Sequence, residues 1–456
     1  MYDVCVVGLG YVGLPTACAF ASKGFKTVGV DLREDIVDKI GRGESYLTEP
    51  GVAKVVKEVV SRGLLSATSD LAAAVGQARA VIVAVQTPFR NGEAELGFLK
   101  KAGESVAASL RKGSLVLVES SVPPGTCSKD ILPSFSERGF VDGKNFFFAY
   151  CPERIAPGNS LFEFVNNDRI VGFEVASSGE KVVELLGAVT QGAIHTTDIL
   201  TAETVKLVEN TARDVYIGFA NELSKFCVEI GVDVWDVVRL ANTHPRVKIL
   251  RPGPGVGGPC LSKDPYMLLQ AGIARDSNKA SLTRLAREVN ENMFEDVLTL
   301  VHAGLAGAPL GAKIAVLGTS YKPEVGDSRA SPSEKVIGSL MAEGYAVSTF
   351  DPFCSETFGG TSSKDVKGAV KGAVCAVFMV GHEAFKKIAL DELASLMVDG
   401  AFVVDAVGVL PVRDGTHPGF RVLRLGGRSA HEVTHPSGSR RRSDERRVTK
   451  RSNSSL

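Results

Sequence analysis

The chain is 456 residues long, 44% hydrophobic, 23% charged and 7% aromatic, ordinary globular material with room for two or three domains. Its 52 basic and 52 acidic residues cancel, so no global field favours nucleic acid, a membrane surface or a polyanion, and any charged ligand must be held by a local site. Eight cysteines without a C-x-x-C pair argue against a disulfide framework or a zinc ribbon, and no metal site is expected.

The opening MYDVCVVGLG carries no basic leader region and runs straight into a strand pattern, and no run of about eighteen apolar residues follows anywhere. The expectation is a soluble, cytoplasmic protein. Short apolar runs (DVCVVGLG, FKTVGVD, AVIVAVQTP, SLVLVESS) then alternate with helical lengths, the pattern of a parallel, doubly wound α/β sheet. The first run ends in Gly8, Gly10 and Gly13, with Tyr11 and Val12 between the last two. G-x-G-x-x-G between a strand and a helix is a dinucleotide fingerprint: one glycine for the turn, one for close approach to a pyrophosphate, one for helix packing.

Asp31 follows at the end of the next strand pattern, where a carboxylate accepts from ribose hydroxyls and repels a 2′-phosphate, favouring NAD over NADP. Arg33 is either a partner for such a phosphate or a surface residue at a helix start. Thr87 and Pro88 of VQTP, and Ser121 of ESSVPPGT, fall at the carboxyl ends of later strands, where ligands bind in open α/β sheets; turn chemistry explains these residues as well.

After the strand pattern FFFAY comes YCPERIAPG, with Glu153 and Arg154 in a proline-rich loop. Residues 201–230 then read as one long helix, interrupted only by Gly218 and capped by Gly231. On it Lys206 and Asn210 stand one turn apart on a shared face. A shorter helix is expected near DVWDVVRLAN. Downstream, GVGGPCLSKDP sets Cys260 in a glycine-rich loop with Lys263 and Asp264. A thiol beside an ammonium is more readily a thiolate, which attacks a carbonyl, and Asp264 is a candidate for proton transfer to or from water. From these residues alone, Cys260 is as well read as a small residue in a turn.

The rhythm of the opening returns in KIAVLGTS, GYAVSTFDP, AVCAVFMVGH and AFVVDAVG. The chain is therefore expected to be α/β, with two Rossmann-like doubly wound parallel-sheet domains joined by a long central helix: a cofactor domain over 1–195, a helical domain with the cysteine loop over 196–300 and a second sheet domain over 301–427. Residues 428–456, rich in Arg and Ser, are expected to be a disordered basic tail.

GLGYVGLP, SSVPPGT, CPERIAPG, AETVKLVENT, PGPGVGGPCLSKDP and VLGTSYKPEVGDSRASP occur in the order seen in the UDP-glucose/GDP-mannose 6-dehydrogenase family, which the chain resembles over about residues 1–425. The resemblance implies a four-electron oxidation of the C6 hydroxyl of a nucleotide sugar, with NAD as acceptor and a cysteine thioester. It casts Cys260 as nucleophile and Glu153 as the helper in thioester hydrolysis. Lys206, Asn210 and Asp264 would hold an oxyanion and a water, Lys322 the UDP, and Arg329 would reach across to the cofactor. Ser121 falls where the family often has threonine. A homo-oligomer is implied too, a homodimer on the central helix or a higher assembly.

CPERIAPG with THPRV and the cysteine loop is similar to the branch acting on UDP-N-acetylhexosamines, UDP-N-acetyl-D-mannosamine before UDP-N-acetylglucosamine, with UDP-glucose as the alternative sugar. Arg154 would suit an acetamido carbonyl, Arg246 and Arg251 are candidates for substrate or phosphate contact, and Gly257 for close approach of backbone to a sugar ring. A reading of another class is a non-catalytic nucleotide-sugar sensor.

Overall fold

The computed structural model describes residues 1–47, 49–90, 92–270, 281–305, 307–411 and 415–434. The first sheet comprises β1 (Tyr2–Val7), β2 (Thr27–Val30), β3 (Leu65–Thr68), β4 (Ala78–Val83), β5 (Leu115–Val118), β6 (Phe147–Tyr150), β7 (Arg169–Gly172) and β8 (Ile194–Thr197). Their spatial order is β8-β7-β6-β5-β4-β1-β2-β3, so the order reverses beside β1, where ligands lodge in this architecture. The near-continuous apolar runs reflect burial of both faces: Val4 and Val6 pack with Leu14 and Phe20 on one side, Cys5 and Val7 with Val106 and Phe148 on the other. One departure from the expected parallel sheet is that β7 pairs antiparallel with β6, through Tyr150 and Gly172.

The central helix, α1, runs Ile199–Ile230, about 48 Å at the usual rise. Asp198 caps its start by accepting from the Thr201 N–H at 2.8 Å, and Gly231 ends it with φ of 75°. Gly218, the one interruption in its sequence, is where a companion helix, α2 (Ser281–Gly304), crosses closely. A Cβ there would lie 2.9 Å from that of Ala286. The short helix after Gly231 spans Val234–Ala241.

The second sheet has β9 (Lys313–Leu317), β10 (Ala346–Phe350), β11 (Thr361–Ser362), β12 (Cys375–Phe378), β13 (Phe402–Asp405), β14 (Gly415–His417) and β15 (Phe420–Arg424). The order is β11-β10-β9-β12-β13-β15-β14, parallel except for the β14–β15 hairpin at the edge. Part of the expected tail is instead structured. Residues 428–434 form a final helix whose Ala430 is buried in the second core, while the His431 ring meets the Val228 carbonyl at 2.7 Å. Residues 435–456 lie outside the described residues. All eight cysteines are free thiols.

Candidate active site

At the end of β1 the chain turns at Gly8 with φ of +93°, and a Cβ there would strike the Ala84 carbonyl oxygen at 2.6 Å. At Gly13 a Cβ would lie 1.8 Å from the Gly8 carbonyl oxygen, whereas at Gly10 it would meet nothing within 4 Å. Two glycines are thus required by the protein itself, and the third leaves the space a pyrophosphate needs at a helix N-terminus. Thr16 N donates to the Val12 carbonyl, continuing that helix.

Asp31 lies at the strand end and braces the turn. Its Oδ2 accepts from the Leu9 N–H and its Oδ1 from the Arg33 N–H, both at 2.9 Å. The Arg33 guanidinium turns to Asp35 at 2.6 Å, so its charge is engaged in a surface pair. Tyr46, which the sequence reading missed, donates its hydroxyl to the Leu9 carbonyl at 2.7 Å. Thr87 Oγ1 donates to the Ser121 carbonyl at 2.6 Å, fastening the loops after β4 and β5 together, and the Pro88 carbonyl accepts from Glu95 N. These residues fit a bound dinucleotide.

The Cys260 loop is shaped by packing. A Cβ at Gly257 would lie 2.5 Å from the Ala330 carbonyl oxygen and one at Gly258 2.7 Å from the Tyr321 ring, so both glycines let this loop pack on the 321–330 loop. The Cys260 carbonyl accepts from Lys263 N and Asp264 N at 3.0 and 2.9 Å, starting the helix Asp264–Gln270. Asp264 is fully buried, its Oδ1 taken by Lys263 Nζ at 2.8 Å and its Oδ2 by Asn210 Nδ2 at 2.5 Å. With both oxygens engaged it is a strut between the central helix and the cysteine loop.

Lys206 is buried, and among the described residues its ammonium has no hydrogen-bond or ion-pair partner. Cys260 presents an exposed edge to solvent. The protein packed around the rest of it, and then the Asp264 carboxylate, raise its thiol, while Lys206, Lys263 and Arg329 pull the other way.

Glu153 is buried, its Oε2 held by Arg169 Nη1 at 2.9 Å and its Oε1 by the Arg154 N–H at 2.7 Å. Arg169, absent from the sequence reading, is almost wholly buried and stacks over Phe164 at 3.9 Å. Arg154 itself pairs with Glu209 of the central helix at 2.6 Å and donates to the Asp168 carbonyl. Its guanidinium thus ties the glutamate loop to α1.

A cavity of about 390 Å³ opens at the carboxyl end of the second sheet, lined among others by Arg251, Ser320, Tyr321, Lys322, Lys386 and Gly408. Arg251 and Lys322 line this one cavity together, with Lys386 as an addition from the loop after β12. Arg246 is exposed and does not line the cavity. Lys322 Nζ also donates to the Pro157 carbonyl at 2.7 Å, bridging to the glutamate loop. Arg329 pairs with Asp327 at 2.6 Å, its guanidinium lies 5.1 Å over the Tyr11 ring of the first domain, and its carbonyl accepts from Gly258 N. The cysteine loop is thereby gripped between the two nucleotide-binding-type halves.

Comparison with known proteins agrees with this division. The UDP-glucose/GDP-mannose dehydrogenase family matches over its NAD binding domain (residues 2–189), its central domain (200–292) and its UDP binding domain (315–412). The chain is 38% identical over 436 residues to the UDP-N-acetyl-D-mannosamine dehydrogenase of Methanococcus maripaludis, covering 93% of this chain and 98% of that protein. Among solved structures, the UDP-D-ManNAc dehydrogenase of Pyrococcus horikoshii superposes with a TM-score of 0.86 at 36% identity, over 93% of this chain and 99% of the other. The UDP-glucose dehydrogenase of Pyrobaculum islandicum superposes with a TM-score of 0.80 at 25% identity, over 92% and 97%. With a glycine turn built for a dinucleotide at one sheet and a cationic cavity at the other, the chain belongs to the UDP-glucose/GDP-mannose dehydrogenase family and is an NAD-dependent nucleotide-sugar dehydrogenase.

Proposed function

We propose that the protein oxidises the C6 hydroxyl of UDP-N-acetyl-D-mannosamine to the carboxylate, through a thioester on Cys260. The observation that carries the reading is the convergence of an accessible Cys260, the Asn210–Asp264 strut and the uncommitted Lys206 ammonium between the dinucleotide turn and the cationic cavity. The choice of sugar rests on relatives bearing that name at 38 and 37% identity.

Bound NAD supplies the hydride acceptor for both oxidations. The chain's residues do the rest. Lys322, Arg251 and Lys386 hold the diphosphate, an anion matched by charge-assisted donors, and so present the sugar to Cys260. Loss of a hydride and a proton turns the C6 alcohol into an aldehyde. The sulfur then bonds to the carbonyl carbon as its thiol proton leaves, and Lys206 donates to the developing oxyanion. Loss of a second hydride with the hydroxyl proton leaves a thioester. Glu153 takes a proton from the attacking water, and cleavage of the C–S bond returns the thiol and releases the acid.

The proposal extends to a homodimer built on the central helix, where Val208, Tyr216, Phe219, Phe226 and Ile230 are exposed, an apolar stripe of the kind a second copy covers. A cytoplasmic location fits the absence, among the described residues, of a helix long and apolar enough to cross a membrane. The test is NADH stoichiometry. Two NADH and one uronate per UDP-N-acetyl-D-mannosamine are expected, with acid formation abolished in Cys260→Ala. A free aldehyde as the wild-type end product would overturn the thioester route, and preference for UDP-glucose at equal concentration would overturn the sugar.

A further inference from the structure

Behind Glu153 lies a second carboxyl, Glu119, for which neither the sequence reading nor the mechanism has a use. It continues β5, its N–H donating to the Val83 carbonyl at 2.9 Å, while the next strand is joined alongside by Cys151 N to the Val118 carbonyl at 2.9 Å. Glu119 is 1% exposed and Glu153 6%. Thr16, on the helix that follows the glycine turn, donates Oγ1 to Glu119 Oε2 at 3.1 Å. The other oxygen, Oε1, is buried with no hydrogen-bond partner.

The charge balance of this pocket is uneven. Glu119 and Glu153 share a dry region with one cation, Arg169, whose Nη1 goes to Glu153 Oε2 and Nη2 to the Phe164 carbonyl. The remaining ionisable neighbour is the buried Cys151 thiol, itself pushed up to about 12 by burial. One guanidinium cannot neutralise two carboxylates removed from water, and in such a group one carboxyl keeps its proton. The hydrogen bonds decide which. Glu153 has the guanidinium and a backbone N–H, whereas Glu119 has a single hydroxyl.

We infer that Glu119 is a proton-holding positioning residue: it stays a neutral acid so that Arg169 belongs wholly to Glu153, whose carboxyl is thereby held in one orientation. Burial first, then the Glu153 charge, push the Glu119 carboxyl up to about 8, with Arg169 and Thr16 pulling the other way. When Glu119 ionises, the second negative charge competes for Arg169, and thioester hydrolysis slows. This role rests on the reading of Glu153 in the proposed function; the location of the proton does not.

The test therefore has two arms on the full chain. In infrared difference spectra of ligand-free protein, wild type minus Glu119→Gln, a buried carboxylic-acid carbonyl band should be present at pH 6.5 and bleach through about pH 8. In steady-state assays, wild-type kcat should fall on the alkaline side with a midpoint near 8, while Glu119→Gln stays within about twofold of wild type at pH 7 and loses that limb. Thr16→Val, which removes only the hydrogen bond favouring the charged form, should move the wild-type midpoint upward. Absence of the infrared band overturns the proton assignment. An unchanged alkaline limb in Glu119→Gln, or an equal loss of kcat at every pH, overturns the coupling to Glu153. If instead the infrared band is present but Cys260→Ala still forms acid, it is the catalytic reading that fails.

Discussion

The two sheet domains start from the same device and put it to different use. In the first, Gly8 turns the chain at the end of β1 against the Ala84 carbonyl; in the second, Gly318 turns it at the end of β9 with φ of +98°, where a Cβ would lie 2.5 Å from that of Val380. In each, an aspartate at the end of the neighbouring strand accepts from the turn: Asp31 from Leu9 N, Asp351 from Thr319 N and Ser320 N. They diverge at the next step. The first helix begins at Gly13, so backbone N–H groups and the helix end face the ligand. The second begins only at Pro332, and the intervening loop carries Lys322 and Arg329 out to the other domain. Where a helix starts decides whether a phosphate meets peptide dipoles or charged side chains.

The shared turn is the strongest element of this comparison and the place where breaking it costs most. Gly8→Ala and Gly318→Ala should each destabilise by about 2–5 kcal/mol, from a left-handed backbone plus a Cβ forced into the facing strand end. Chemical denaturation measures this, and a neutral Gly318→Ala would mean that the second turn is not the same device. Next in size, Lys322→Ala should weaken UDP binding by about 10- to 100-fold, as loss of a charge-assisted contact implies, and leave NAD affinity unchanged in calorimetric titrations. Equal loss of both ligands would show that the loop between Gly318 and Pro332 serves the fold rather than the cavity.

The smallest effect concerns the aspartates. Burial works to raise Asp351, but hydrogen bonds from His382 at 3.1 Å and from Ser320 outweigh it and hold the carboxyl well below its usual range. A depressed carboxyl contributes stability that is full above its unfolded value and is lost progressively as pH falls toward its folded one, so this support should be intact above about pH 4 and decline steadily at lower pH. Asp351→Asn should cost about 1–2 kcal/mol at pH 7, since an amide oxygen still accepts, and should flatten the acid limb of thermal stability. An acid limb identical to that of the wild type would remove the charged brace from the comparison.

Much of this molecule was legible before folding. Burial on both faces makes parallel strands read as unbroken apolar runs, a helix of 32 residues announces itself through periodicity and its Gly231 cap, and backbone requirements leave glycines at fixed spacing. Those signals are local in the chain. Partners were not legible, because they are set by distance in space. Arg169 is an ordinary arginine in NNDRIVG until it is enclosed with Glu153, and Lys386 is a surface lysine until β12 delivers it to the cavity. Nothing in CPERIAPG points to the pairing of Arg154 with Glu209.

The sequence by itself determined the two-sheet frame through spacing along each strand and helix, and the family through the order of its motifs. Only the tertiary structure decided what the reactive side chains are when assembled. Asp264 ties the cysteine loop to the central helix, buried Lys206 has no partner among the described residues, and Cys260 is set among one carboxylate and several cations. A group's ionisation and its free valences depend on how much water the fold removes and which charges it sets nearby, and neither quantity exists along an unfolded chain.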